Sequence, residues 1–387
     1  MNIQLLVIPI FVLILSLVIG IHLAYPQFLK RLSQKGGGFS PDDYGKKSYL
    51  HSDLPPVSIL IPVYNEERDI ERRLDNILES DYPKNKLEII VIDSGSIDKT
   101  RSIIESHFQD TVILITEQER QGKAHAINLG LQRCKGEIII LTDGTTLYDR
   151  RTIRQLIDPF KDTRIGAVSA IYDVPNKDES HVSASEYKFW ALKDKIRLLE
   201  SSTHSTSWLS GEACAFRSRI IDEVDEDTLA DDSNIALQII SRGYRVIVNQ
   251  NARFVERSPT QLIDYFRIKS RRALGGLIET LRFRSLILKP QHGYFGTIIF
   301  PYRIFVCLVS PILTCVLAGM LVPTIMEIIS SLGSPATLIV GIGVVSIAIL
   351  LRSSITTFIY TQLITVLALF WLVGGNKDVR WTRSRTR

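Results

Sequence analysis

Four times between residues 57 and 146 a short apolar run breaks off at a polar or charged residue, and helical periodicity takes over after each of the first three. Val57 to Pro62 stops at Val63-Tyr64-Asn65-Glu66 and is followed by Glu67 to Leu78, which sets Ile70, Leu74, Ile77 and Leu78 on one helical face. Leu87 to Ile92 stops at Asp93-Ser94-Gly95-Ser96, and Asp98 stands ready to cap a helix over Lys99 to His107. Thr111 to Ile115 leads through Arg120-Gln121-Gly122-Lys123 into a helix that reaches Leu131. The fourth run, Ile138 to Leu141, is wholly apolar, reads as a strand buried on both faces, and ends at Thr142-Asp143-Gly144. Strands and helices in alternation predict an α/β domain: a Rossmann-like, mostly parallel sheet with flanking helices.

In open α/β sheets, ligands bind beyond the carboxyl ends of the strands. That edge collects Glu66, Asp93, Lys123 and Asp143. Asp93 can accept hydrogen bonds from a base or ribose, Lys123 can meet a phosphate, and Asp143 can hold a divalent cation bridging two phosphates. Each residue alone also reads as a helix cap or turn residue; four at corresponding strand ends point to a nucleotide. Neither common glycine-rich phosphate loop is present. No Gly-x-Gly-x-x-Gly follows the first strand, and Glu117 occupies the first glycine position that a P-loop ending in Gly122-Lys123 requires.

The 387 residues carry a net charge of +5 and are 45% hydrophobic although 22% are charged, so the apolar residues must be segregated. Leu5 to Tyr25 is uncharged, a run of roughly 20 residues that suffices to cross a hydrocarbon core of about 30 Å. The uncharged start and long apolar core favour a retained anchor over a secretory signal. Lys30, Arg31 and Lys35 follow, then Gly36, Gly37, Gly38 and Pro41, a flexible linker. Positive residues beside an anchor place the polar segment on the cytoplasmic side of an integral plasma-membrane protein. After it, Ile304 to Ile329, Pro335 to Leu351 and Ser354 to Val373 read as three membrane segments, and Pro301, Pro311 and Pro323 mark the first of them for breakage. Three crossings would put the tail outside, whereas Lys377, Arg380, Arg383, Arg385 and Arg387 argue for inside. The expected division is therefore an anchor at 1–28, a linker at 29–54, the α/β domain at 55–280, an amphipathic interfacial segment at 281–300, transmembrane helices at 301–375 and a basic tail at 376–387. The basic excess suits membrane lipid, and nucleic acid is not an expected partner. Cys134, Cys214, Cys307 and Cys315 show neither metal-ligand spacing nor a disulfide framework.

Val57–Glu66 (VSILIPVYNE), Ile92–Asp98 (IDSGSID), Gly122–Asn128 (GKAHAIN) and Leu141–Thr145 (LTDGT) resemble, in order, the motifs of family 2 glycosyltransferases of GT-A fold. The likeness is to the membrane-embedded cellulose, hyaluronan and poly-N-acetylglucosamine synthase-like group and spans about residues 55 to 285. Gly211–Arg217 (GEACAFR) resembles the acceptor-side segment, and Ala230-Asp231-Asp232 stands where membrane-bound members have Thr-Glu-Asp. The resemblance implies inverting transfer of a sugar from a nucleotide-sugar donor, usually UDP-linked, to a hydroxyl on a lipid-linked or polysaccharide acceptor. It implies that Pro62, Tyr64, Glu66, Asp93 and Lys123 contact the nucleoside and diphosphate, that Gly211, Glu212, Arg271 and Arg272 meet acceptor and diphosphate, and that Asp143 holds Mg2+ or Mn2+.

A base must take the acceptor's proton. Asp231 and Asp232 precede Ile235 to Ile240, so they lie at a helical amino terminus that favours ionised acids; the resemblance makes Asp232 the base, whereas plain capping is the competing reading. Arg267, Lys269, Arg271 and Arg272 form a basic run suited either to a departing diphosphate or to a membrane surface. Leu281 to Lys289 is amphipathic and basic, as interfacial helices are.

Two departures qualify the resemblance. The processive Gln-x-x-Arg-Trp motif has Ile268 for Gln and Arg272 for Trp, which leans toward short or single additions. The family's Asp-x-Asp becomes Asp143-Gly144-Thr145, leaving Thr145 a hydroxyl in place of the second acid, so the metal is expected to arrive with the nucleotide. The same departure motivates the alternative of a catalytically silent relative that binds a sugar nucleotide as scaffold or regulator of polysaccharide export.

Overall fold

The four apolar runs are strands, and alternation of their side chains between two cores explains why they are apolar throughout. The computed structural model describes residues 4–35, 49–331 and 352–375. Strands β1 (Val57–Val63), β2 (Leu87–Asp93), β3 (Val112–Thr116) and β4 (Ile138–Thr142) alternate with helices α2 (Ile70–Leu78), α3 (Thr100–His107) and α4 (Lys123–Leu131), after a first helix α1 (Gln4–Lys35). Ile59, Ile61, Ile89, Val91, Ile138 and Ile140 point into one core with α2 and α3. Leu60, Ile90, Ile92, Ile139 and Leu141 point into the other with α4. These strands run parallel in the order β3-β2-β1-β4.

The second half of the sheet turns back on itself. Beyond β5 (Leu147–Tyr148) and α5 (Thr152–Ile157) come β6 (Ile165–Asp173), the long helix α6 (His181–Thr203) and β7 (Ala213–Arg217). Helix α7 (Asp231–Ser241), β8 (Arg245–Val255) and α8 (Leu262–Arg282) complete the domain. Strand β7 is antiparallel to both β4 and β6, and β6 is parallel to β8, whose end carries β5 as an antiparallel edge. The eight-stranded order is β3-β2-β1-β4-β7-β6-β8-β5, a mixed, mostly parallel sheet as the sequence predicts and the family resemblance implies.

Two described helices are long and apolar enough to cross a membrane, Pro9–Gln34 within α1 and Phe295–Met320; Phe358–Val373 is a shorter apolar helix. Helix α1 sets Tyr25 and Leu29 into the second core, beside Phe295, Ile299 and Phe300. The proline-rich segment differs from expectation. Helix continues through it: a π-turn at Phe295–Ile299, α9 (Phe300–Ile304), a second π-turn at Phe305–Val309, then α10 (Ser310–Ser331). Pro301 and Pro311 each stand two residues after a π-turn. A proline lacks the N–H for the normal helical bond and its ring presses on the preceding turn, and a widened turn makes room without ending the helix. Helix α11 (Arg352–Val373) packs against α8.

The expected amphipathic helix over Leu281–Lys289 is absent: α8 ends at Arg282, and one 3-10 turn, Arg284–Leu286, follows. The segment Pro335 to Leu351, the glycine linker and the basic tail lie outside the described residues.

Candidate active site

The loops after β1 and β2 are stitched together before they present any side chain. The Asn65 backbone N–H donates to Ser96 Oγ at 2.9 Å, and the Ile97 N–H donates to Asn65 Oδ1 at 2.9 Å. Asp93 is buried and its Oδ1 accepts the Ser96 N–H at 3.1 Å. Its carboxylate thus stabilises its own turn, while Pro62, Tyr64, Glu66 and Ser94 form the cavity wall beside it. The Arg120 guanidinium lies 4.3 Å from the centre of the Tyr64 ring, a cation resting on a flat face.

Lys123 opens α4 behind Gly122, whose φ of +115° is a backbone setting that a side chain would strain. Its ammonium bridges Asp143 Oδ1 at 2.8 Å and Asp231 Oδ2 at 3.3 Å. Burial works against that charge, but Asp143 and Asp231 outweigh it and hold the lysine well above its ordinary range. Asp143 follows β4 directly, and Gly144 lets the loop pass close: a Cβ there would lie 3.2 Å from Val63 Cγ1 and 3.3 Å from Glu66 Cγ. Thr145 Oγ1 donates to Glu256 Oε1 at 2.8 Å. The strand end is also tied backwards. The buried Arg73 donates to Thr142 Oγ1 at 2.7 Å, and Thr142 donates to the Glu212 carbonyl at 2.7 Å.

Across the cavity, Gly211 lies against Lys123, Asp231 and Asp232. Asp231 and Asp232 form the first turn of α7, where Asp232 Oδ1 accepts the Ser233 N–H at 2.6 Å. Burial, then the neighbouring Asp231 and Glu212 carboxylates, push the Asp232 carboxyl up to about 6. From α8, Arg272 pairs with Glu212 at 2.6 Å and Lys269 with the buried Glu186 at 2.7 Å. Arg271 lines the cavity too. This part of the basic run faces inward, which removes the membrane-surface reading for Lys269 and Arg272. The structure therefore gathers Pro62, Tyr64, Glu66, Lys123, Asp143, Thr145, Gly211, Glu212, Asp231, Asp232, Arg271 and Arg272 on one cavity, with Asp93 just behind its wall.

Several residues of the site escape sequence reasoning. Lys193 of α6 lies 4.6 Å from the Trp190 ring centre and 4.5 Å from that of Trp208, and burial with Arg197 and Lys269 nearby lowers its ammonium to about 7. These tryptophans provide aromatic surface where the α8 motif lacks its own. Glu256 is visible only once β5 pairs with β8. Glu200 of α6 accepts from Tyr25 at 2.8 Å and Thr206 at 2.8 Å, and burial raises its carboxyl to about 7. No spacing in the sequence announces these partners.

The cavity measures about 1530 Å3 and runs from Pro62 and Tyr64, past Asp143 and Asp232, to His22, Tyr302 and Gln362 among the apolar helices. Asp143 and Thr145 offer hard oxygen donors, which fit Mg2+ or Mn2+ sharing its remaining positions with phosphates and water. Among the described residues no cluster of three or more His, Cys, Asp or Glu is placed to hold a metal by itself.

Residues 58–225 match the description Glycosyl transferase family 2. A poly-beta-1,6-N-acetyl-D-glucosamine synthase of Staphylococcus aureus (strain COL) is 28% identical over 243 residues, which cover 61% of this chain and 58% of that protein. This chain thus spans somewhat over half the length of that relative. The mannosyltransferase PcManGT from Pyrobaculum calidifontis, solved in complex with GDP-Man and Mn2+, superposes with a TM-score of 0.77 at 27% identity, covering 96% of this chain and 99% of that one. Motif order, sheet order and both likenesses converge on glycosyl transferase family 2, whose description residues 58–225 match.

Proposed function

We propose that the chain is an inverting glycosyltransferase of the plasma membrane, its α/β domain cytoplasmic, that moves a sugar from a nucleotide-sugar to a hydroxyl on a lipid-linked acceptor. One observation carries the reading: a single cavity joins the strand-end charges to a slot between apolar helices, with Asp232 at the junction. A donor entering from the strand-end side and an acceptor entering from the helix side meet beside that carboxylate.

In this reading Asp232, ionised, takes the acceptor hydroxyl's proton as the oxygen attacks the anomeric carbon. The bond from that carbon to the diphosphate breaks on the opposite face, so one displacement inverts the centre. Lys123 and Arg271, with Arg272 behind them, stabilise the charge that gathers on the departing diphosphate. A metal held by Asp143 and Thr145 supplies Lewis-acid stabilisation of the same charge when bound. Tyr64 and Pro62 flank the nucleoside, and Glu66 and Asp93 hold the loops that receive it. Trp190 and Trp208 give the acceptor's sugar or headgroup a flat contact.

The sequence motifs suit a UDP-sugar, whereas the Pyrobaculum enzyme holds GDP-Man. Membranes containing the protein, given Mn2+ and a panel of labelled UDP- and GDP-sugars, should move label into lipid extract from one donor. Label in long polymer would replace the lipid-linked reading with a polysaccharide synthase. Nucleotide binding without transfer from any donor would establish the silent scaffold instead.

A further inference from the structure

We infer that Glu256 supplies the second acid of the metal clamp, acting through the Thr145 hydroxyl. The inference rests on the reading that Asp143 and Thr145 hold a divalent cation beside the donor diphosphate. Where the family pattern has two acids two residues apart, this chain has Asp143 and Thr145. A threonine hydroxyl has one proton and two lone pairs. Here the proton is committed, because Thr145 Oγ1 donates to Glu256 Oε1 at 2.8 Å. Both lone pairs are left for the cavity that Thr145 lines. A carboxylate behind a ligand's proton fixes the ligand's orientation and makes its oxygen more electron-rich, which is how outer partners strengthen metal ligands.

The position of Glu256 is built rather than incidental. Strand β5 pairs with β8, Leu147 opposite Val255 and Tyr148 opposite Phe254, so the residue after β8 comes to rest beside the loop after β4. The Tyr172 hydroxyl donates to the Glu256 carbonyl at 2.9 Å and pins the backbone. Glu256 is 5% exposed, so water screens its charge little. The Arg272 guanidinium feels the Glu256 charge and offsets part of the cost of burying it. Through the Thr145 hydroxyl the same carboxylate also supplies the charge that Thr145 itself lacks. Glu256 is thus a positioning residue for the metal, and the acid pair of this site is Asp143 and Glu256, the residues that directly follow β4 and β8.

The test measures how much Mn2+ tightens UDP and GDP binding to the full chain in detergent, by calorimetry with and without the metal. Glu256→Ala should reduce the Mn2+-dependent gain about 10- to 100-fold and leave metal-free affinity within about twofold. Glu256→Gln, which keeps an acceptor oxygen but no charge, should fall between, and it keeps the test open if the alanine variant does not fold. Thr145→Val should match Glu256→Ala, and the double variant should be no worse than either. Equal losses with and without Mn2+ would overturn the inference and assign Glu256 to support of Arg272. A full Glu256→Ala effect on top of Thr145→Val would overturn the route through the hydroxyl. If the unaltered protein shows no Mn2+-dependent binding of either nucleotide, the donor reading falls and this inference with it.

Discussion

The two ends of the cavity are made of opposite materials. At the strand-end side, neighbouring loops supply short polar side chains whose charges are paired, as in the Lys123 bridge between Asp143 and Asp231. At the helix side, His22, Glu200, Arg303 and Gln362 come from segments far apart in the chain. There charge is met by hydroxyls, carbonyls and rings. Glu200 is held by Tyr25 and Thr206, and Arg303 donates to Thr280 Oγ1 at 2.8 Å and lies 4.0 Å from the Trp208 ring centre. The difference teaches how the labour divides. Paired charges near water can exchange partners for a diphosphate and metal, whereas a chamber of rings and neutral donors can receive an amphipathic acceptor. If that division holds, donor binding and acceptor use should respond to separate substitutions.

The sharpest attempt to break the comparison is Asp232→Asn, at the junction. Transfer should fall about 10^2- to 10^4-fold, the usual contribution of a general base, while nucleotide affinity stays within about twofold by calorimetry. A parallel loss of both would mean that the ends are one site. The pH profile comes next. With its carboxyl raised to about 6, Asp232 is protonated and unable to accept a proton below that pH. The rate under kcat/KM conditions should therefore climb about tenfold per pH unit up to about 6 and level off above it, while nucleotide binding shows no matching rise. Smaller still is Lys193→Met. Below pH 7, where Lys193 carries its proton, loss of this desolvated cation over two indoles, worth about 1–2 kcal/mol, should raise the acceptor KM roughly tenfold with the donor KM unchanged. The smallest effect belongs to Tyr25→Phe. Removing one hydrogen bond to Glu200 should cost about 1 kcal/mol and lower the Tm of the full chain by about 2–4 °C, with donor affinity unaltered.

The strand-end side is also the side that a reader of the sequence can see. Strands β1 to β4 are legible because burial on two faces demands continuous apolar runs, and Asp93 and Asp143 stand at or just past the ends of β2 and β4, with Glu66 and Lys123 in or after the loops that follow β1 and β3. The helix side is not legible, for a physical reason visible in α6. Over its 23 residues it turns Glu186, Asp194, Arg197 and Glu200 inward, each buried against a partner, so no apolar stripe marks its inner face. Lys193 and Trp208 acquire meaning only when α6 and the loop after it fold over α8. Glu256 depends on antiparallel pairing between β5, two residues long, and a strand about a hundred positions later in the chain. The prolines at 301 and 311 misled in a different way. They signal a local backbone problem, and the π-turns before them are a local solution that composition does not encode.

The stacking of Tyr25 on Tyr302, at 3.4 Å between ring centres and 10° between planes, changes what α1 is for. A helix that only moored the domain would touch nothing but lipid, and it could be trimmed to obtain a soluble enzyme. This one lends His22 to the cavity lining and Tyr25 to Glu200. On the proposed function, trimming it would leave a protein able to recognise its donor but with a hole in the wall of the cavity. Water would then compete with the acceptor for the activated sugar, and an excised domain would be read as a nucleotide-sugar hydrolase.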